Sequence, residues 1–369
     1  MNSRLILVGG FLGAGKTTLL AEAAKRLAAS GIRVGLITND QAPELVDTAF
    51  LSRSAAVSEV SGSCFCCNFP GLLDAMSKLR SEARADVLIA EPVGSCTDLS
   101  ATIVQPLKDL HAGEVTVAPL TVLADPGRLA DISNGGNGGL HPSAAYIFRK
   151  QLEEADVVLI TKSDLLDAAS LEKLVARTAR EYPLARVSAV SAESGEGVDF
   201  WLAQVMAPSG AGLRLAEIDY DVYAEGEAVL GWLNATFELT GTSVDWKDFA
   251  FRLLSELSAR IDTERASVGH VKVLIEGIRA GVEREDRVVG NLTGPRKTLR
   301  VRGAESRGDA ALLTLNAQVE MSPGRLESIT REAIEAAAKR IQVAQIGWRC
   351  LIPGRPTPTF RYDRLVSIA

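Results

Sequence analysis

Three thiols stand within four residues at Cys64, Cys66 and Cys67, between Gly62-Ser63 and Asn68-Phe69-Pro70-Gly71. Soft thiolates so close together suit Zn²⁺ or another thiophilic ion, each losing its proton on binding, and three ligands leave a position open for exchange. Free cysteine is also among the most buried residue types, so a small core residue is the alternative. Three copies of a rare residue in one tetrapeptide favour metal or redox chemistry. A second constellation lies at the start of the chain, where Gly10-Phe11-Leu12-Gly13-Ala14-Gly15-Lys16-Thr17 fits the phosphate-loop pattern G-x-x-x-x-G-K-[ST] at each specified position. Gly10, Gly13, Ala14, Gly15 and Thr18 form the candidate cradle of backbone N–H groups at the positive end of a helix. Lys16 would reach the β/γ-phosphates, and the Thr17 hydroxyl would ligate Mg²⁺.

These residues need a parallel sheet to position them. Residues 5–8 are a short apolar run suited to a buried strand, and residues 18–29 repeat apolar side chains at helical spacing. Residues 33–38 read as a second strand ending at Asn39-Asp40; ligands of open parallel sheets bind beyond the carboxyl ends of strands, so Asp40 is a candidate Mg²⁺ ligand and catalytic carboxylate. A turn cap is its plainer alternative. Residues 86–90 deliver Glu91-Pro92-Val93-Gly94 to the same edge. An acid followed three residues later by glycine has the layout of a γ-phosphate sensor, Glu91 orienting the attacking water or binding Mg²⁺ through water and the Gly94 N–H meeting the phosphate. Cys96, two residues on, is a candidate fourth thiol for the cluster, against a plain buried residue at a helix start.

Residues 116–124 read as one further strand, followed by the glycine-rich run 134–139, whose composition suggests a mobile loop, and by His141, a solvated or ligating histidine. Residues 156–160 end in Thr161-Lys162-Ser163-Asp164, similar to the guanine-specificity motif [NT]-K-x-D. There the Asp164 carboxylate accepts from two guanine N–H groups, a pair that adenine lacks, and the Lys162 stem covers the ring. A last strand over 187–192 places Ser191 and Ala192 to touch the base through backbone N–H, and Gly197 opens the closing helix.

The 369 residues carry a net charge of −6, which leaves no electrostatic footprint for nucleic acid or an anionic membrane. Five cysteines, an odd number with three in one tetrapeptide, make a poor disulfide framework. No stretch is apolar enough to span a bilayer, and the apolar start runs directly into the phosphate loop without a cleavage site, so the expectation is a cytoplasmic protein.

The ordered set Gly9 to Thr18, Asn39-Asp40, Cys64-Phe65-Cys66-Cys67, Glu91 to Gly94 and Thr161 to Asp164 resembles the CobW-type P-loop GTPases, relatives of the UreG and HypB metallochaperones. The resemblance covers about the first 205 residues, and the C-x-C-C insertion is its most specific element. It implies binding of GTP/GDP with Mg²⁺, and carriage of Zn²⁺, Co²⁺ or a similar ion to a client protein or cofactor enzyme; it leaves a nucleotide-dependent homodimer open. Glu91-Pro92-Val93-Gly94 stands where the family more often has E-T-[TS]-G, and Asn39-Asp40 where it has N-E. A metal-responsive regulator with vestigial hydrolysis and an ATP-using P-loop enzyme are the competing readings.

The expected architecture is an α/β P-loop domain over 1–205, a Pro/Gly-rich linker over 206–222 and a smaller α+β domain over 223–369 that binds the client, with a ferredoxin-like arrangement as its candidate topology. Its expected elements are strands over 228–239, 270–276, 288–292, 298–301 and 311–320, and helices over 245–261, capped by Asp245, and 323–342. His270 and Cys350 look isolated, and core or surface roles are expected of them.

Overall fold

The computed structural model describes residues 2–40, 46–52, 55–278, 287–293, 298–303 and 307–367. Its first strand, β1 (Ser3–Gly10), feeds two cores at once: Leu5 and Leu7 enter one, Ile6 and Val8 the other. Successive strand side chains point to opposite faces, so an unbroken apolar run marks a strand covered on both sides. The same layout holds for β2 (Val34–Asp40), β4 (Val87–Glu91), β6 (Thr121–Ala124) and β7 (Val157–Ile160). With β3 (Ala56–Ser61), β5 (Val115–Val117) and β8 (Arg186–Ala189) they form a parallel sheet of order β3-β2-β4-β1-β6-β7-β8, β5 pairing with the start of β1. The strand expected over 116–124 is therefore two strands. Pro119 lies between them, and a residue without an N–H cannot continue the ladder.

Around this sheet lie α1 (Lys16–Ala29), α2 (Val46–Leu51), α3 (Phe69–Glu82), α4 (Gln105–Leu110), α5 (Pro126–Ser133), α6 (Pro142–Glu154), α7 (Ala168–Glu181) and α8 (Val198–Met206). The glycine-rich run 134–139 is tied down. Asp131 accepts from Gly138 N at 2.7 Å, and Arg149 donates to Gly136 O at 2.8 Å. Residues 207–219 carry no regular structure, but Asp156 accepts from Gly212 N and Leu213 N at 2.6 and 2.9 Å. Next, α9 (Tyr220–Ala228) packs on α6 so closely that a Cβ at Gly226 would meet Ser143 O at 2.5 Å.

A separate antiparallel sheet has the order β12-β11-β10-β13-β9-β14. Its strands are β9 (Gly231–Asp245), β10 (Val268–Gly277), β11 (Arg287–Thr293), β12 (Thr298–Arg302), β13 (Arg307–Val319) and β14 (Gln342–Leu351). Between β9 and β10 lies α10 (Trp246–Thr263), whose first turn Asp245 caps as expected, and between β13 and β14 lies α11 (Pro323–Ala338). Leaving out the β11–β12 hairpin, the β-α-β-β-α-β order and antiparallel neighbours are those of a ferredoxin-like unit. The helix expected to reach residue 342 stops at Ala338, Lys339 adopts a left-handed φ of 49°, and β14 follows unforeseen. β14 is a sheet edge, paired among the described residues with β9 alone and with no buried residue, so it lacks the clean alternation that announces a strand.

Candidate functional site

The phosphate loop is shaped by close approach. At Gly10 (φ 132°) a Cβ would lie 2.5 Å from Leu123 O, and Gly15, in the left-handed region at φ 93°, is the N-cap of α1 with no side chain to offer. No acidic residue stands in the first turn of α1, so its N–H groups and dipole are left for an anion. Lys16 is buried and donates to Gly10 O at 2.8 Å, with Glu91 Oε1 3.8 Å away. Burial lowers the Lys16 pKa, against the pull of Glu91.

Thr17 is the meeting point of three charged groups. Its hydroxyl bonds Asp47 on α2, lies 3.4 Å from Glu91 Oε1 at the end of β4, and accepts from Lys272 Nζ of β10 at 3.1 Å. Lys272 also pairs with Asp47. Burial, and then the charge of Asp47, push Glu91 up to about 7. Burial works against Asp47 as well, but the Lys272 ammonium outweighs it and holds that carboxyl below its ordinary value. Asp40 lines the same cavity, while Asp47, with Glu91 farther off, is the carboxylate bonded most closely by the Thr17 hydroxyl. Asp47 was not singled out in the sequence; the signal was a second acid shortly after the strand end.

At the base end, Thr161 donates to Ala14 O at 2.7 Å, and Lys162 donates to Gly13 O at 2.8 Å and to Asp125 Oδ2 at 2.7 Å. The base motif is thus bonded directly to the phosphate loop. Asp164 and Ala192 line the cavity, and Ser191 Oγ accepts from Ser194 N at 3.1 Å beside it. Gly94 sits against the loop, where a Cβ would meet Leu12 Cδ2 at 2.6 Å. The cavity is about 900 Å³ and is roofed by the second sheet through His270, Lys272, Asn291, Arg300, Arg302 and Asn316. His270 is therefore not an isolated core residue. Burial, then Lys272, hold its imidazole well below the usual pKa, and its Nε2 lies 2.9 Å from Asn291 Oδ1. Alternation of polar and apolar residues over 268–277 and 311–319 was the signal that could have found this face.

The thiols form a second centre. Cys64 Sγ lies 2.9 Å from Cys66 Sγ and 3.2 Å from Cys67 Sγ, and Cys66 and Cys67 are 3.8 Å apart. Cys96 is buried against Cys64 and Cys66. The thiols of Cys66 and Cys67 hydrogen-bond Cys64 and, with Cys96 beside them, hold it well below an ordinary thiol pKa, while Cys66 and Cys96 are pushed well above it; Cys96 lies outside the set of three sulfurs that are all within 4.8 Å of one another. Asn39 fixes the loop to the end of β2: its amide donates to Val60 O and Ser63 O, both at 2.8 Å, and accepts from Phe65 N at 2.8 Å. The C-terminal segment covers the cluster, Thr357 N donating to Cys67 Sγ at 3.2 Å and Thr359 N to Cys66 O at 2.8 Å. Arg361 pairs with Asp98 at 2.7 Å. His141 is not brought here; its ring bonds Ser143 at the start of α6. Cys350 lies on β14, donating to Pro323 O at 3.3 Å.

Residues 4–188 match the family described as "CobW/HypB/UreG, nucleotide-binding domain". The chain belongs to the CobW/HypB/UreG family. It is 28% identical over 216 residues to a protein named zinc chaperone CobW from a Sinorhizobium species, and 28% identical over 223 residues to one of the same name from Pseudomonas aeruginosa. Each alignment takes in 52% of this chain, and 59% and 56% of those relatives' own lengths. A solved structure described as Zn(II)-bound YjiA GTPase from E. coli overlays 90% of this chain and 99% of that one at 17% identity, with a TM-score of 0.38.

The donor sets separate into two chemical kinds. Thr17, Asp47 and Glu91 offer oxygen only, and Glu91 Oε2 is buried with no hydrogen-bond partner among the described residues, as befits a hard ion such as Mg²⁺ or its water. Cys64, Cys66 and Cys67 offer sulfur within 4.8 Å of one another, as befits a soft one. No helix among the described residues is long and apolar enough to cross a membrane.

Proposed function

We propose that this chain hydrolyses GTP with Mg²⁺ and uses the nucleotide state to bind and deliver a thiophilic ion, of the zinc or cobalt class, to a client protein or cofactor enzyme. The observation that carries this reading is the course of residues 91–98. Glu91 and Gly94 stand at the phosphate loop and Cys96 stands at the thiol cluster, while Gln151 holds the segment between them by donating to Gly94 O at 3.0 Å and Cys96 O at 2.7 Å. Residues 91–98 are the segment through which a shift at the γ-phosphate would be passed from Gly94 to Cys96.

Lys16 and the N–H groups of α1 bind and orient the phosphates, and Gly94 reads the γ-phosphate. Thr17 and an acid, Asp47 or Asp40, would hold Mg²⁺, which would supply charge neutralisation to the phosphates. Glu91, with a pKa of about 7, can orient the attacking water and exchange a proton with it near neutral pH. Asp164 selects guanine, with Lys162 over the ring and Ser191 and Ala192 at its edge. Cys64, Cys66 and Cys67 hold the cargo ion, and Cys96 completes or perturbs that set. The unit over 1–205 does this work, and that over 223–369, reached through 206–222, receives the client. Single-turnover hydrolysis of GTP and ATP, with metal analysis of protein purified without chelator, tests the reading. Faster GTP turnover and a stoichiometric thiophilic ion are expected; equal use of ATP, or no ion on the purified chain and none taken up, would contradict it.

A further inference from the structure

The roof of the nucleotide cavity is the polar face of the antiparallel sheet. Along β10, Val271, Val273 and Ile275 enter the core against α10 and α11, while His270 and Lys272 face the other way into the cavity. Register extends that face: Lys272 stands opposite Asn316 on β13 and Asn291 on β11, and Asn291 opposite Arg300 on β12. From this row Lys272 reaches across to the other sheet. Its Nζ lies 3.1 Å from Thr17 Oγ1 and pairs with Asp47, the carboxylate that also bonds Thr17. Asn316 Oδ1 accepts from Val46 N at 2.8 Å, so α2, which carries Asp47, is pinned to the roof at two successive residues.

An ammonium is thus seated on the hydroxyl and carboxylate that the proposed function assigns to Mg²⁺. Two cations held by the same two oxygens repel strongly at such separations, and only one can occupy the seat. We propose that Lys272 is a stand-in for Mg²⁺: with no nucleotide bound it neutralises Asp47 and holds Thr17, and loading of Mg²⁺ with nucleotide expels it. The compact charge and flexible stem of lysine suit a group that leaves and returns. Expelling it removes the Lys272 bridge between β10 and α2, so the second sheet registers loading without touching the thiol cluster. This inference rests on the Mg²⁺-nucleotide reading above.

The test is a MgCl₂ titration of fluorescent GDP and non-hydrolysable GTP-analogue binding to wild type, K272M and K272R, with hydrogen exchange followed over 46–52 and 268–277. Removing the competing cation in K272M should lower the half-saturating Mg²⁺ by about threefold to fivefold, the range of a partly exposed ion pair, and K272R should stay near wild type. In wild type, exchange over both segments should rise when Mg²⁺ and the GTP analogue bind; in K272M it should be high beforehand. An unchanged or higher Mg²⁺ requirement in K272M, with nucleotide still bound, overturns the stand-in role alone. Wild type that binds neither nucleotide overturns the underlying reading with it. The wild-type exchange comparison needs no variant, so protection over 46–52 that ignores the nucleotide refutes the inference even if K272M fails to fold.

Discussion

At one end of residues 91–98 the polar groups are ionic and face a cavity of about 900 Å³; at the other, Cys64, Cys66 and Cys96 are buried and the C-terminal residues 357–362 lie over them. The phosphate end balances charge against charge, with Lys16 beside Glu91 and Lys272 on Asp47, because oxygen anions in a partly buried site need cations nearby. The thiol end balances protons against one another, one sulfur holding the hydrogen bonds of its neighbours. Such a contrast separates hard ions from soft ones by donor chemistry alone, within a few residues of chain. It also predicts that each centre can be broken without emptying the other.

The largest effect is expected from Lys16→Ala. Losing the buried ammonium from the phosphate loop should cut single-turnover hydrolysis by about 10²-fold or more while the titratable thiols and zinc uptake stay as in wild type. Turnover near wild type would remove Lys16 from the chemistry. The converse variant, Cys64→Ser with Cys66→Ser, should weaken Zn²⁺ binding by about 100-fold or more and leave GDP affinity within a factor of about two, measured by competition with a chromophoric chelator. Asp164→Asn should favour xanthosine over guanosine triphosphate by at least about tenfold in nucleotide competition, because an amide supplies a donor where the carboxylate only accepts.

These variants rest on motifs, and motifs were the legible part of the chain. The phosphate loop, Glu91 to Gly94 and Thr161 to Asp164 each sit at the carboxyl end of an apolar strand, where local spacing and chemistry agree. Of the two sheets, the parallel one could be read strand by strand where its strands are covered on both faces; the reading failed where Pro119 interrupts one, and it missed the edge strand β3, whose half-exposed residues lack an unbroken apolar run. The antiparallel sheet was read less well. Its polar face belongs to the nucleotide cavity, so His270 and Lys272 look like ordinary outward residues until the fold puts His270 in the cavity wall and seats Lys272 on Thr17. Nothing in local sequence announces a contact across 255 positions. The covering residues 357–362 were hidden for the same reason.

Two smaller tests address the shell between the centres. Glu154 is buried, accepts from Ser100 N at 2.8 Å and Thr97 Oγ1 at 3.1 Å, and burial pushes its pKa up to about 8. An acid whose pKa is higher folded than unfolded binds its proton more tightly in the native state, so its stabilising contribution is full below about pH 4.5 and is lost as pH rises toward 8. Glu154→Gln should flatten that decline in urea midpoints between pH 5 and 8, by an amount on the order of a few kcal/mol. The same slope in both proteins would contradict it. Arg361→Ala removes the cationic partner of buried Asp98 and should lower the melting temperature by about 2–4 °C, read by calorimetry; no change would mean that the other contacts of residues 357–362 hold the C-terminal cover without this ion pair.

Under the proposed function, nucleotide and thiol cluster communicate through residues 91–98. The most direct measurement is Zn²⁺ affinity by competitive titration, with the chain held in GDP and in a non-hydrolysable GTP analogue, repeated in Cys96→Ala. A severalfold difference between the two nucleotide states that shrinks in Cys96→Ala is expected, and, since linkage is reciprocal, an equal factor by which Zn²⁺ changes the preference for one nucleotide over the other. A Zn²⁺ affinity that is the same in both nucleotide states, and unmoved by the substitution, would contradict it.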